Sequence, residues 1–177
     1  MSYENAKLVL SGGVASTPFL HEIFELAGTD TPQIVFDGSP CVSQESLDKK
    51  RKMWKHVCEE FQLPEPRWIQ DDVSEPLSCG KTNALLDNAD VFYVTGGASR
   101  KAISQWNKAG LTKDIKDRVL DGHVTALVCI DGIAQVRDIT PLSRVGQGFG
   151  ANVYLYFDSI REPRKLCDGD LIPLNQM

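Results

Sequence analysis

The sequence lacks the features that mark membrane proteins, secreted proteins and metal proteins. None of its apolar runs approaches the roughly 20 residues that a transmembrane helix needs, and no basic segment precedes a short apolar one at the start. The five cysteines include no C-x-x-C pair and the three histidines are far apart, so neither a disulfide framework nor a zinc site is expected. We therefore expect a cytoplasmic protein that holds no metal and no cofactor.

Positive charge is also scarce. The 19 lysines and arginines are outnumbered by 24 acidic residues, which gives a net charge of −5. Because nucleic-acid binders usually carry a basic face, we expect neither nucleic acid nor a membrane as a partner. The densest basic run, Lys49–Lys52 with Lys55, is typical of a solvated helix face, and contact with an acidic partner is the alternative.

What the sequence does contain is a regular alternation of strands and helices, which is typical of a parallel sheet covered by helices on both faces. The predicted strands are Lys7–Ser11, Gln33–Phe36, Arg67–Gln70, Asp90–Thr95, Thr125–Ile130 and Asn152–Phe157. The predicted helices are Phe19–Leu26, Ser46–Phe61, Arg100–Lys108 and Thr112–Leu120. The length suits a single domain over residues 1–177, in which 161–177 form an irregular tail or a short edge hairpin.

Three of the predicted strands run into glycine-rich corners, at Ser11–Gly13, Thr95–Ser99 and Ile130–Gly132. In open α/β sheets, ligands bind at the carboxyl ends of the strands. Glycine lets the backbone approach a ligand, and the start of the next helix offers N–H groups to an anion. The alternative is that each glycine only makes a tight turn. The predicted ligand-binding residues are Gly12, Gly13, Gly96, Gly97, Ser99, Asp131 and Gly132.

The central block of the chain resembles a known family. Residues 89–136 read ADVFYVTGGASRKAISQWNKAGLTKDIKDRVLDGHVTALVCIDGIAQV, which is similar to the dipeptidase E and cyanophycinase family of serine peptidases. In that family a strand enters a three-glycine turn, two helices with a Gly-Leu break follow, and the next strand ends in Ser-Ala-Gly. The resemblance extends over about residues 5–160, including KLVLSGG and QIVFDGSP. It implies a three-layer sandwich with a mostly parallel sheet, of the class I glutamine amidotransferase-like type with flavodoxin-like strand order.

The residues that the resemblance makes catalytic are replaced in this chain. Ile130 stands at the place of the nucleophilic serine, Tyr156 at that of the histidine, and Asp138 matches the acid of the triad. A tyrosine near its ordinary pKa of about 10 is a poor general base at neutral pH. Because triad members act as a unit, a serine–histidine mechanism is not expected here. Asp131, at the first turn of the next predicted helix, is a candidate cap or ligand contact.

The sequence therefore supports three hypotheses of different classes. One is a subunit whose main role is assembly, for which the aromatic strand Val153–Phe157 is a plausible edge or homodimer surface. Of the other two, the first is a catalytically silent relative of the family that binds a small molecule, a peptide or a protein partner at the glycine-lined edge. The second is an active peptidase or amidotransferase-like hydrolase with a non-standard nucleophile: Cys129 with His21, or else Ser11 or Ser99. Side chains alternate along a strand, so Cys129 is expected to point away from the pocket.

Overall fold

The computed structural model describes residues 7–11, 17–129, 134–136, 144–145, 153–155 and 164–166. The helices within these ranges are α1 (Thr17–Ala27), α2 (Gln44–Glu60), α3 (Cys79–Leu86), α4 (Ser99–Ala109) and α5 (Leu111–Leu120). The strands are β1 (Lys7–Ser11), β2 (Ile34–Asp37), β3 (Arg67–Trp68), β4 (Val91–Val94), β5 (Thr125–Cys129), β6 (Ala134–Val136), β7 (Arg144–Val145), β8 (Val153–Leu155) and β9 (Arg164–Leu166).

The main sheet has six strands in the order β3-β2-β4-β5-β1-β7, and every neighbouring pair is parallel. The register places Asp37 beside Val94 and Val94 beside Val128, so the carboxyl ends of β2, β4 and β5 lie at one edge. The predicted α/β class with a parallel sheet is thus confirmed. The flavodoxin-like order is not found, since β5 and β4 separate β1 from β2.

A smaller sheet, with the order β6-β8-β9, contains strands from the C-terminal part of the chain. Its first pair is parallel, and its second pair is antiparallel, with Tyr154 beside Lys165. The form of residues 161–177, an irregular tail or an edge hairpin, stays a prediction, since only Arg164–Leu166 of that range is described. The predicted strand Asn152–Phe157 is present as β8.

Two hydrophobic clusters lie on opposite faces of the main sheet, because successive side chains of a strand point to opposite sides. On one face Phe36 packs against Trp54 with ring centroids 5.0 Å apart, together with buried residues of α1 and α2. On the other face Phe92 packs against Trp106 with ring centroids 6.3 Å apart, together with buried residues of α3, α4 and α5. Sheet and helices therefore form three layers.

The connections reverse direction between β2 and β4, which are neighbours in the sheet. The chain leaves β2 through α2 on one face towards the edge strand β3. It leaves β4 through α4 and α5 on the other face towards β5. In open α/β sheets, ligands bind outside the carboxyl ends of the strands at such a switch point.

The element boundaries depart from prediction where hydrophobic periodicity is weak. Helix α3 was not predicted, because its buried residues are only Thr82 and Leu86 and they form no apolar stripe. Helix α2 begins at Gln44, two residues before the predicted Ser46, because the Ser43 side chain accepts a hydrogen bond from the Ser46 amide and caps the helix. Strand β3 is limited to two residues.

Candidate functional site

The loops that follow β2 and β4 are joined by backbone hydrogen bonds across the switch point. The Thr95 amide donates to the Asp37 carbonyl at 3.0 Å, and the Ala98 amide donates to the Pro40 carbonyl at 2.8 Å. These bonds continue the pairing of β2 with β4 beyond the ends of both strands. The floor of the crevice between the two strands (the β2–β4 crevice) is therefore fixed by the backbone.

Gly97 is a glycine because the two loops approach closely. Its φ is +139°, and a Cβ atom added there would lie 2.5 Å from the Pro40 carbonyl oxygen. No L-residue fits that position without moving the Pro40 loop. Of the other predicted ligand-binding residues, Gly96 is buried, and Ser99 is exposed at the first position of α4.

A buried carboxylate ties the β2 loop to α4. Asp37 is completely buried, and its Oδ1 accepts from the Ser39 amide at 2.7 Å. Its Oδ2 accepts from the Ser39 hydroxyl at 2.9 Å and from the Trp106 indole Nε1 at 2.8 Å. Burial raises the pKa of Asp37 above its ordinary value, while the bonds from Ser39 and Trp106 and the charge of Lys101 oppose that rise.

Two lysines cross the crevice in opposite directions. Lys50, on the helix that follows β2, donates to the carbonyl of Gly96 in the loop after β4. Lys101, on the helix that follows β4, donates to the carbonyl of Cys41 in the loop after β2, at 2.5 Å. Neither ammonium group forms a salt bridge within the part of the chain that the structure describes. Each ammonium has three N–H donors, so two remain on each lysine after the carbonyl bond.

The start of α4 adds further donors beside the lysines. Ala98 occupies the N-cap position, and no side chain caps the helix there. The first amides of a helix have no partner within the helix and carry its positive dipole end. Together with Lys50 and Lys101, they make the mouth of the crevice suited to a negatively charged group.

Cys41 contacts this site through the β2 loop, and it is closed off from solvent. Its exposed fraction is 1%, and its Sγ lies 3.8 Å from the Thr95 hydroxyl, which is also buried. A thiol in that position behaves as a small packed side chain, because a nucleophile must reach its substrate.

The histidines of the described residues do not approach the crevice. His21 packs edge-on against Phe24 and Phe61, with ring centroids 6.2 Å and 5.8 Å away. Phe61 follows the C-terminal end of α2, whereas the crevice adjoins the start of that helix. His56 and His123 are exposed on a helix and before β5. Over the described residues, no group of His, Cys, Asp and Glu is placed to hold a metal ion.

Most residues implicated by the family resemblance lie outside the described residues. The side chains of Ser11 and Cys129, which end β1 and β5, are also outside them. The replaced triad, the cysteine nucleophile and two of the three glycine corners therefore stay predictions. The residues in question are Gly12, Gly13, Ile130, Asp131, Gly132, Asp138 and Tyr156.

The basic run of α2 divides into outward and inward residues. Lys49 forms a salt bridge with Glu45 on the solvent side. Lys50 reaches the crevice, and Arg51 lies with its guanidinium carbon 5.5 Å from the centroid of the Trp68 ring. The prediction that the whole run lies on one solvated helix face is therefore wrong for Lys50 and Arg51. Consecutive residues of a helix point about 100° apart, so a run of four cannot share one face.

No family model matches the chain, and no curated protein matches it. Among the described helices, none is long and apolar enough to cross a membrane. The resemblance to the dipeptidase E family thus stays a prediction from the sequence pattern.

Proposed function

We propose that the protein is a non-catalytic relative of the dipeptidase E-type serine peptidases and that it binds a small anionic molecule in the β2–β4 crevice. The observation that carries this proposal is the crossing of Lys50 and Lys101 over the switch point, each anchored to the loop of the opposite strand.

The donors around the crevice favour an anion. Both lysines hold unused N–H groups, and the uncapped start of α4 is next to them. Asp37, the acid that ends β2, is completely buried and accepts hydrogen bonds from Ser39 and Trp106, which offset its charge. A carboxylate is the anion we propose, since the resemblance implies aspartyl peptides as the ligand class.

Over the described residues, no cysteine–histidine pair is found at the crevice, which supports binding without hydrolysis. Cys41 is buried against Thr95, and no histidine of the described residues contacts it. The expected replacement of the family's serine and histidine by Ile130 and Tyr156 agrees with this proposal. The competing hypothesis, a hydrolase that uses Cys129, is an outcome of the test below.

The test is a titration of the protein with aspartyl-alanine, followed by amide NMR, with alanyl-alanine as the ligand that lacks the side-chain carboxylate. We expect saturable shifts at residues 96–101 and weaker binding of alanyl-alanine. A charge-assisted hydrogen bond contributes about 1.5–3 kcal/mol, so Lys50→Met and Lys101→Met should each weaken binding by about 10- to 100-fold. Lys116→Met, which removes an exposed lysine of α5, is the matched control.

Three results would count against the proposal. Absence of saturable binding, or binding that is unchanged in both lysine variants, would exclude the crevice as the site. Cleavage of the dipeptide at enzymic rates would contradict the non-catalytic role. If iodoacetamide modification of Cys129 then stopped that cleavage, the result would favour the hypothesis of a hydrolase that uses Cys129 as its nucleophile.

A further inference from the structure

A second cavity lies at the other end of α4. It has a volume of about 250 Å³ and is a groove between the loop Ser74–Leu77 and three residues of the last turns of α4, namely Gln105, Lys108 and Ala109. Lys101, which marks the crevice, precedes Lys108 by two turns, or about 10 Å along the helix. The groove is therefore separate from the site proposed above.

The wall formed by the loop is held in place by side-chain hydrogen bonds. Gln70, which is 3% exposed, donates through Nε2 to the carbonyls of Asp72 at 2.8 Å and Glu75 at 3.5 Å. The amide and hydroxyl of Ser74 donate to one carboxylate oxygen of Asp72 at 2.7 Å and 2.6 Å. The groove is thus formed before any ligand enters, which lowers the entropic cost of binding.

Polar groups without partners line this groove. Glu75 and Lys108 carry opposite charges, and neither forms a salt bridge with the described residues. The Oε1 atom of Gln105 is buried beneath the groove and has no hydrogen-bond partner among the described residues. Leu77 and Ala109 provide apolar surface between these groups.

We infer that this groove binds a small zwitterion, an α-amino acid with an apolar side chain. The carboxylate of such a ligand pairs with Lys108, its ammonium pairs with Glu75, and its side chain covers Leu77. The volume equals that of about eight water molecules, which suits an amino acid and is too small for a folded partner.

The test uses L-leucine as the probe, with 4-methylpentanoate and 3-methylbutylamine as analogues that lack the ammonium and the carboxylate. In amide NMR titrations, leucine should shift residues 74–77 and 105–109 with a Kd of about 1 mM or below. Residues 96–101 should not shift, so the outcome is independent of the crevice. Each analogue should bind at least about tenfold more weakly than leucine, since it loses one charged contact.

Variants assign the contacts. Glu75→Gln and Lys108→Met should each weaken leucine binding about tenfold, while the exposed control changes Glu25→Gln and Lys116→Met leave it unchanged. The inference fails if leucine gives no saturable shift at the groove, if the two charge variants bind it normally, or if 4-methylpentanoate binds as tightly as leucine.

Discussion

Replacement of Gly97 by alanine is expected to destabilise the protein through the contact between the β2 and β4 loops. The new Cβ would lie 2.5 Å from the Pro40 oxygen and 3.0 Å from the Pro40 carbonyl carbon. Both neighbours are backbone atoms, so relief requires the loop itself to move. That movement stretches the Ala98–Pro40 hydrogen bond, which is 2.8 Å long in the native protein.

The size of the effect follows from two separate costs. The backbone angle of +139° at Gly97 is unfavourable for any residue with a Cβ, at roughly 1–3 kcal/mol. Overpacking against a fixed neighbour adds roughly 1–3 kcal/mol. We therefore expect a loss of about 2–6 kcal/mol in the free energy of unfolding.

Gly110→Ala is the matched control. Gly110 has a φ of +71°, and a Cβ placed there would meet nothing within 4 Å. Gly110→Ala should therefore lower the free energy of unfolding by about 1–2 kcal/mol, the cost of the left-handed backbone conformation alone. Urea unfolding followed by tryptophan fluorescence measures both variants. A Gly97→Ala protein as stable as Gly110→Ala would refute the loop contact as the reason for glycine at position 97.

Three further outcomes follow from the buried groups. Trp106→Phe should lower the free energy of unfolding, measured by urea denaturation, by about 2–4 kcal/mol. Asp37 loses the hydrogen bond from the indole Nε1, and the core loses part of an aromatic ring. Unchanged stability would contradict this prediction. Burial raises the pKa of Asp37 in the folded protein above its unfolded value of about 3.9. The protonated carboxyl group therefore contributes its full stability below the unfolded pKa, and this contribution is lost as the pH rises through the folded pKa. Relative to Asp37→Asn, the wild-type protein should thus lose stability as the pH rises above the unfolded pKa. A stability difference that instead moves in favour of the wild-type protein with rising pH, measured by urea titration, would oppose the argument. Among the three described cysteines, iodoacetamide should label exposed Cys79 first, since burial raises the pKa of Cys58 to about 11; peptide mass spectrometry that finds Cys58 labelled first would contradict it.

The α/β class could be predicted because its signal is local. Runs such as VFYV in β4 are buried on both faces and stand out from the helices around them. Strand order has no such signal, since the position of β1 beyond β5 depends on contacts between residues more than 100 positions apart. Helix α3 was not predicted because it buries only a threonine and a leucine and carries no periodic apolar stripe.

The candidate site was only partly predictable. The glycine corner at 95–99 was found, because parallel strands bring their carboxyl ends to one edge. Asp37 was missed, although a charged residue at the end of the apolar run IVFD was a visible signal. Its partner Trp106 is 69 residues away, and no spacing rule connects the two. Lys50 was hidden within a basic run whose members diverge around the helix.

The three tryptophans are divided between the two hydrophobic clusters, so the fluorescence of each helical layer can be followed separately. Trp54 and Trp68 belong to the aromatic cluster around Phe36, while Trp106 lies across the sheet against Phe92. An indole bonded to a carboxylate in a dry environment also differs electronically from one enclosed by other rings. Fluorescence of proteins that retain one tryptophan at a time can therefore show whether the two layers melt together or one before the other.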